Sequence, residues 1–505
     1  MESQKIFFMI IFILLKDVLS LVFFYLVVLF YKPEIIGIVQ FALSFVALFS
    51  FIFNLGFLVA HLKIYPEEEN KAGSIGTLLF INTFFIIISL IFYSIVLNLF
   101  SFDSRTFTII IIFLIDLIVQ NMCTFFSNIL IADKEIIKGT FPWIVISSSK
   151  IIFIIIGISY FPFNEIILSF FYLFSSLIHF IVLFIYVIPY KIGKPTKNLI
   201  NKYLKFTYPL IVYNVVFIIS SNIGFVLINF WISTEAVAFY YAGDHLSTFR
   251  TVIPKVIGLA MVSIFSKNIA ENKLEKNKEI IKRISKYSCF LFGIVILLSF
   301  LYSNYLIIFL IGKVYEPSVF IFNILLLSHL IIINDAAIFA DLNARGLTRL
   351  YSIINILGEI YQIFLIIIFI APFCLNLGIN GLALAILFRY ITYTPFIRTF
   401  LWIKYKYSYN FSIFLNLAII LAIYLLNNLI FVKIIKVDLF VYFYLIPFFM
   451  LLNILLYFII LYVVRGIKRD DLRYFKLIFN IKSLINLLYK DLAVKINNSD
   501  KENNN

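Results

Sequence analysis

Residues 164–188 read NEIILSFFYLFSSLIHFIVLFIYVI, a run of 25 residues in which Glu165 is the one charged side chain. This length and apolarity are typical of a helix that crosses the hydrocarbon core of a bilayer, which takes about 20 residues. Similar runs fill most of the 505-residue chain, of which 63% is hydrophobic and 13% is charged. Soluble proteins contain about 45–50% apolar and about 25% charged residues. The sequence therefore predicts an all-α polytopic membrane protein and excludes a soluble enzyme.

Short polar segments divide the chain into fourteen apolar runs, each of which predicts one membrane span. The runs cover residues 6–31, 35–57, 77–99, 107–131, 138–161, 164–188, 206–231, 240–265, 287–311, 317–340, 350–372, 379–398, 410–428 and 439–464. If the N-terminus is cytoplasmic, 31 of the 41 Lys and Arg residues fall on the inner side and five on the outer side. Because cytoplasmic loops carry an excess of positive charge, this bias predicts a plasma-membrane protein with both termini inside.

The eighth predicted span, residues 240–265, is the most polar of the fourteen. It is interrupted by Asp244, His245, Arg250 and Lys255. Without it, the strongly basic segment 266–286 would lie outside and every later span would be inverted. The charge distribution therefore favours keeping residues 240–265 as a span.

Two outer turns carry a similar pattern and indicate an internal repeat. Pro33-Glu34-Ile35-Ile36-Gly37 follows the first span, and Thr234-Glu235-Ala236-Val237-Ala238 follows the seventh. The echo predicts two six-helix lobes in parallel orientation, as in transporters whose halves are related by an axis along the membrane normal. The predicted domains are an N-terminal lobe (1–188), a basic cytoplasmic linker (189–205), a C-terminal lobe (206–402), two extra spans (403–464) and a cytoplasmic tail (465–505).

The tail combines apolar residues at helical spacing with basic residues on its other faces. The apolar positions are Phe475, Ile478, Ile481, Ile485, Leu488 and Leu492. This pattern predicts a helix that lies on the anionic lipids of the inner leaflet. A helix that binds a partner protein is the alternative.

Motifs for covalent chemistry are missing from the sequence. Gly193-Lys194-Pro195-Thr196 lacks the upstream glycine of a phosphate-binding loop, and there is no HExxH pattern. The predicted outer loops are too short to hold a glycosyltransferase or polymerase site. The net charge of +15 follows the two membrane sides and does not indicate nucleic-acid binding. The sequence predicts a transporter without enzymatic activity, metal or cofactor.

Ionisable residues inside the spans predict the functional site, because each costs about 2.5–3.5 kcal/mol at the centre of a membrane helix and therefore faces the bundle interior. The cations are Lys16, Lys150, Arg250, Lys255 and Arg389. Cations in a central cavity suit a phosphate or diphosphate group. Three carboxylates, Asp17, Asp116 and Glu359, are candidates for carrying a coupling H⁺ or Na⁺. The alternative is that the charges pair with one another or extend to an interface and only hold the bundle together.

Five short segments carry a further pattern. In the first half they are Pro33-Glu34-Ile35-Ile36-Gly37, Asn54-Leu55-Gly56-Phe57 and Ala60-His61-Leu62-Lys63. In the second half they are Glu235-Ala236-Val237-Ala238-Phe239-Tyr240-Tyr241-Ala242 and Gly378-Ile379-Asn380-Gly381-Leu382-Ala383. These segments resemble the polysaccharide-biosynthesis flippases of the multidrug/oligosaccharidyl-lipid/polysaccharide exporter superfamily. The sequence departs from the family at Asn222, where span 7 often has an acidic residue, and at Ala238, which replaces a glycine.

The resemblance implies two six-helix lobes around a central cationic cavity. It also implies that a polyprenyl- or dolichyl-diphosphate-linked oligosaccharide is moved to the outer leaflet by alternating access. The alternative within the same superfamily is an ion-coupled drug or cation antiporter, which would favour an acidic, aromatic cavity; Lys16 and Arg250 count against it. A non-transporting scaffold of a glycan assembly complex remains open.

Overall fold

The computed structural model describes residues 2–53, 55–407, 412–427, 429, 445–464 and 466, and these ranges contain helices and no strands. The helices are α1 (Glu2–Phe30), α2 (Pro33–Leu48), α3 (Phe57–Glu67), α4 (Lys71–Leu99), α5 (Ser104–Ala132), α6 (Ile136–Thr140), α7 (Pro142–Tyr160), α8 (Glu165–Val187), α9 (Lys197–Trp231), α10 (Thr234–Leu246), α11 (Phe249–Ala270), α12 (Leu274–Ile311), α13 (Ser318–Ala344), α14 (Thr348–Ile370), α15 (Ile379–Tyr405), α16 (Ser412–Asn427) and α17 (Ile446–Val463). The all-α polytopic architecture is confirmed. The predicted amphipathic tail helix lies outside the described residues.

Polar residues between the apolar runs begin several helices by capping free backbone N–H groups. The Asn70 side chain accepts a hydrogen bond from the Gly73 amide at 2.8 Å, at the start of α4. Asn164 caps α8 in the same way, through the Ile167 amide at 2.8 Å. The short polar segments that divide the apolar runs therefore also determine where these helices begin.

Ten helices of the described chain are long and apolar enough to cross a membrane, or eleven if the bent pair Ser318–Ile333 and Asp335–Ala344 forms one span. The three remaining predicted spans correspond to helices that fall short of this standard. The span at 410–428 contains α16, which has 16 residues, and the span at 379–398 lies in α15, which carries buried arginines. Helix length and composition thus support at least ten spans and do not establish the predicted fourteen.

The predicted span 240–265 is the third that falls short in length and composition, and it is not one continuous helix. It is broken between α10 and α11, where the Ser247 hydroxyl donates to the Asp244 carbonyl at 2.7 Å. The Thr248 amide then bonds to the His245 carbonyl at 3.0 Å. The Thr248 bond spans three residues instead of the four of an α-helix, and the Ser247 side chain competes for a backbone carbonyl. The polar interruption seen in the sequence is therefore a real break.

Helices α2 and α10, which begin with the two repeated motifs, pack against each other. A Cβ added to Gly37 would meet the Thr234 carbonyl oxygen at 2.0 Å. The backbones approach so closely that residue 37 can hold no side chain. The repeated turns are thus in contact, and small residues permit the approach, as is common where membrane helices pack.

The C-terminal end of α5 is joined to neighbouring segments by Asp133. Its carboxylate accepts hydrogen bonds from Tyr65 (3.2 Å), Tyr190 (2.9 Å) and the Lys71 ammonium (3.4 Å). Burial, together with the negative charge of Asp133, raises the pKa of Tyr65 to about 12. These contacts join α5 to α3, to α4 and to the segment after α8.

Asp341 makes a similar set of hydrogen bonds near the C-terminal end of α13. It accepts hydrogen bonds from Asn277 of α12 (2.8 Å), from Arg345 (2.7 Å) and from the Tyr407 hydroxyl after α15. Helices α5 and α13 are the fourth spans of the two predicted lobes, and Tyr190 and Tyr407 each follow a sixth span. The two carboxylates therefore occupy corresponding positions, as a parallel repeat requires.

The chain divides into two compact units, and the second has its own internal contacts. The first is Met1–Cys289 with Tyr302–Asn410, and the second is Phe290–Leu301 with Phe411–Asn505. Within the second, the buried Tyr457 hydroxyl donates to the Phe290 carbonyl at 3.2 Å and also to the Asn416 side chain. The Asn427 and Asn453 amides bond to each other at 2.7 Å. Hydrogen bonds between polar side chains thus hold the apolar helices of this unit together.

Candidate functional site

The first unit contains a cavity of about 820 Å³ bounded by α1, α9, α11, α13, α14 and α15. Its wall combines tyrosine rings, aliphatic side chains, amides and two carboxylates, Asp335 and Glu359. Its volume lies within the range of about 300–1,000 Å³ that is usual for ligand sites. Ile13 of α1 and Pro254 of α11 both line it, so both predicted lobes contribute to the wall.

Each carboxylate of the cavity wall is paired with an arginine. Glu359 accepts two hydrogen bonds from Arg389, at 2.8 and 3.1 Å, and Arg389 also donates to Gln362. Asp335 accepts a hydrogen bond of 2.7 Å from Arg398. All four charged side chains are buried, and each acid is matched by a base. The acidic groups of this wall are therefore neutralised within the protein.

Lys16 and Asp17 lie on α1 one helical turn beyond the cavity-lining Ile13. The Lys16 ammonium is 3.9 Å from the Asp17 carboxylate, at the outer limit of an ion pair. The Lys16 side chain is 44% exposed, whereas that of Asp17 is 19% exposed. The lysine is thus the more accessible of the two charges.

Lys150 and Asp116 belong to a polar cluster between α5, α7 and α8. The Lys150 ammonium lies over the ring of Tyr172, 4.3 Å from its centroid. Asp116 is buried and accepts a hydrogen bond from Gln120 at 2.6 Å. Its other oxygen, Oδ1, and both ring nitrogens of His179 have no hydrogen-bond partner in the described part of the chain. Buried polar atoms of this kind usually contact water or an ion.

The side chains of Arg250 and Lys255 lie outside the described part of the structure, although their backbone belongs to α11. Residue 250 is one helical turn before Pro254, which lines the cavity. Residue 250 therefore lies one helical turn along α11 from a residue of the cavity wall, as Lys16 does along α1.

Comparison with known proteins reveals the fold. No protein-family model and no curated protein sequence matches the chain. Among solved structures, the chain is similar to the lipid II flippase MurJ in an inward closed conformation. The TM-score is 0.69 with 18% identity over 91% of this chain and 98% of that chain. It is also similar to an inward-facing multidrug resistance MATE transporter of the MOP superfamily (TM-score 0.62, 13% identity, 77% and 93% covered).

A MATE transporter in complex with MaD3S is similar as well, with a TM-score of 0.55 and 13% identity over 79% of this chain and 95% of that chain. The chain has the fold of these transporters. The fold expected from the resemblance to the exporter superfamily is thereby confirmed. At identities of 13–18%, the likeness establishes the fold of the chain and not its substrate.

Sequence reasoning missed the tyrosines of the cavity and the partner of Asp335. The tyrosines are Tyr213, Tyr351, Tyr390 and Tyr393. The chain has 31 tyrosines, and nothing in the sequence distinguishes these four from the others. The one available signal is the spacing of Tyr390 and Tyr393, which places them on one helical face. Arg398 was assigned to the inner end of a predicted span rather than to the interior. Within this transporter fold it lies in α15, close to Asp335 of α13.

Proposed function

We propose that the protein is a flippase that moves a polyprenyl- or dolichyl-diphosphate-linked oligosaccharide across the plasma membrane by alternating access. The observation that carries this proposal is the charge balance at the cavity. Its two carboxylates are neutralised by arginines, while the half-exposed Lys16 lies one helical turn from Ile13 in its wall. A lysine near a cavity whose own acids are neutralised suits a diphosphate joined to an uncharged group.

In this proposal, Lys16 and Arg250 contact the diphosphate. Each lies one turn along its helix from a residue of the cavity wall, on α1 and α11 respectively, and these helices belong to the two predicted lobes. Lys150 and Lys255 supply further positive charge. Arg389, because it is held by Glu359, contributes mainly by fixing the shape of the wall.

Asp116 is the carboxylate that we assign to the coupling H⁺ or Na⁺. Glu359 has both oxygens occupied by Arg389, and Asp17 lies beside Lys16. Asp116, in contrast, is buried with one oxygen that has no hydrogen-bond partner in the described residues. A proton or sodium ion there would satisfy that oxygen.

A drug or cation antiporter is the competing function, because the MATE transporters share the fold. An organic cation would require an uncompensated negative charge in an aromatic cavity. The pairing of Asp335 and Glu359 with arginines removes that charge. The cavity therefore favours the flippase. We further propose that both termini are cytoplasmic and that the tail, residues 465–505, contacts anionic lipids of the inner leaflet.

Replacement of the two proposed diphosphate contacts tests the function. Each charge-assisted contact is worth about 1.5–3 kcal/mol, so Lys16→Ala and Arg250→Ala should each slow flipping by roughly tenfold or more. Arg250→Lys should recover part of the rate, because it keeps the charge and loses the forked geometry. The control is Lys32→Ala, at an exposed position just after α1.

The rate is measured as the lipid-linked glycan that remains in the inner leaflet, normalised to the amount of protein. Normal export by well-expressed Lys16→Ala and Arg250→Ala variants would refute the cationic mechanism. Poor expression of Arg250→Ala, rescued by neutralising a nearby carboxylate, would instead show that Arg250 has a structural role. Export of ethidium by liposomes that contain the purified protein would favour the antiporter.

A further inference from the structure

Tyrosines from three helices meet in the wall of the cavity. Tyr213 lies on α9, Tyr351 on α14, and Tyr390 and Tyr393 on α15. The hydroxyl groups of Tyr213 and Tyr351 interact with each other, and the Tyr393 hydroxyl donates to the Ile354 carbonyl at 2.6 Å. Because these contacts restrain the side chains, the cavity has aromatic rings at its wall in defined positions.

Neutral polar side chains line the cavity together with the tyrosine rings. Asn343, Asn355 and Thr394 all line the same cavity. The Asn355 amide donates to the Tyr351 carbonyl at 2.8 Å, so its orientation is fixed. Amides and hydroxyls both donate and accept hydrogen bonds. The wall therefore offers aromatic faces together with uncharged donors and acceptors.

This combination matches the chemistry of a sugar ring, which has an apolar C–H face and a rim of hydroxyl groups. A ring can stack its C–H face on a tyrosine while its hydroxyls bond to the amides. A prenyl chain fits less well, because it would bury the amides without partners. The paired carboxylates leave no charge to attract an organic cation.

The position of the cavity agrees with this occupant. Ile13 in the wall is three residues, about 4.5 Å along the helix axis, from Lys16. In a lipid-linked glycan the first sugar is bonded directly to the diphosphate. A diphosphate at Lys16 would therefore place the first sugar rings at the cavity.

We propose that the tyrosine-lined cavity binds the sugar rings next to the diphosphate of the transported lipid. This inference rests on the proposed flippase function and adds the part of the substrate that the cavity holds. It makes Tyr213, Tyr351 and Tyr393 specificity-determining residues. They discriminate a lipid that carries sugars from the same lipid without them.

Binding to purified full-length protein in nanodiscs tests the proposal with two probes, undecaprenyl diphosphate and undecaprenyl diphosphate that carries an N-acetylglucosamine disaccharide. Loss of one aromatic contact in Tyr213→Ala or Tyr351→Ala should weaken binding of the sugar-bearing lipid by roughly three- to tenfold. Binding of the sugar-free lipid should stay unchanged. Tyr351→Phe should retain most of the affinity, because the ring remains. The control is Tyr208→Ala, at a tyrosine of α9 that is 77% exposed.

Gly258→Leu provides a second variant that fills the cavity instead of emptying it. Gly258 lines the cavity, and an added Cβ would meet no described atom within 4 Å. The variant should therefore fold and should lose affinity for the sugar-bearing lipid alone. Comparison of the two probes also separates this inference from the proposed function.

If the wild-type protein binds neither lipid, both the proposed function and this inference fail. If it binds both and the tyrosine and Gly258 variants lose no sugar-dependent affinity, this inference alone fails. Equal loss of affinity for the two lipids would assign the cavity to the prenyl chain and overturn the proposal. Displacement of the sugar-bearing lipid by tetraphenylphosphonium at the same cavity would overturn it in favour of an organic cation.

Discussion

Separation of the buried Arg389–Glu359 pair is expected to destabilise the protein strongly. In Arg389→Ala, Glu359 would lose two charge-assisted hydrogen bonds, of 2.8 and 3.1 Å, and would stay buried. At about 1.5–3 kcal/mol for each bond, the two together amount to about 3–6 kcal/mol. This agrees with the cost of about 3–5 kcal/mol for breaking a buried ion pair from one side.

A double variant without either charge separates the pairing from other effects of the substitutions. Arg389→Met combined with Glu359→Met removes both charges and fills a similar volume. It should recover most of the lost stability, since buried pairs can often be replaced by apolar residues at little cost. Arg349→Ala, at an exposed arginine on α14, is the matched control and should be near neutral.

Each variant is heated in detergent, and the fraction of protein that remains monodisperse is measured against temperature. The midpoint of this curve gives the melting temperature of the variant. The reasoning requires Arg389→Ala and Glu359→Ala to melt well below the wild type, and the double variant to melt near it. A stable Arg389→Ala variant with reduced binding of diphosphate-linked lipid would refute the reasoning. In that case Arg389 would contact the substrate, as the sequence alone predicted.

Two further predictions concern packing and topology. Gly37→Ala should reduce thermal stability measurably, because its methyl group would overlap the Thr234 carbonyl oxygen. The control is Gly258→Ala, whose methyl group would meet no described atom within 4 Å. Equal stability of the two variants would contradict the close approach of α2 and α10. Single cysteines at Ser233 and Lys276 should respectively be labelled and protected when an impermeant reagent is added to intact cells, and the reverse pattern would invert the predicted topology.

The membrane class and most helices follow from local properties of the sequence. Apolar runs longer than a bilayer core predict spans, and polar caps such as Asn70 and Asn164 begin the helices between them. The break between α10 and α11 was visible as a polar interruption, although the charge bias favoured keeping residues 240–265 as a span. The local hydrogen bonds at Ser247 and Thr248 accompany that break.

The similarity of the two halves was also readable from sequence, but its physical meaning was not. The repeated turns predicted parallel lobes without showing that Gly37 lies against Thr234. The corresponding carboxylates Asp133 and Asp341 share only a preceding alanine in the sequence. Their tyrosine partners are 57 and 66 residues away, so only the packing of the helices brings them together.

For the candidate site too, some features follow from the sequence and others only from the tertiary structure. The sequence by itself determined which ionisable groups interrupt the apolar runs, because such a group is detected without knowing its neighbours. Only the tertiary structure decided which of them are neutralised. Arg389 meets Glu359 across 30 residues and Arg398 meets Asp335 across 63, and four tyrosines converge from three helices. Such meetings depend on the rotation and crossing of whole helices, which the spacing of residues along one helix does not specify.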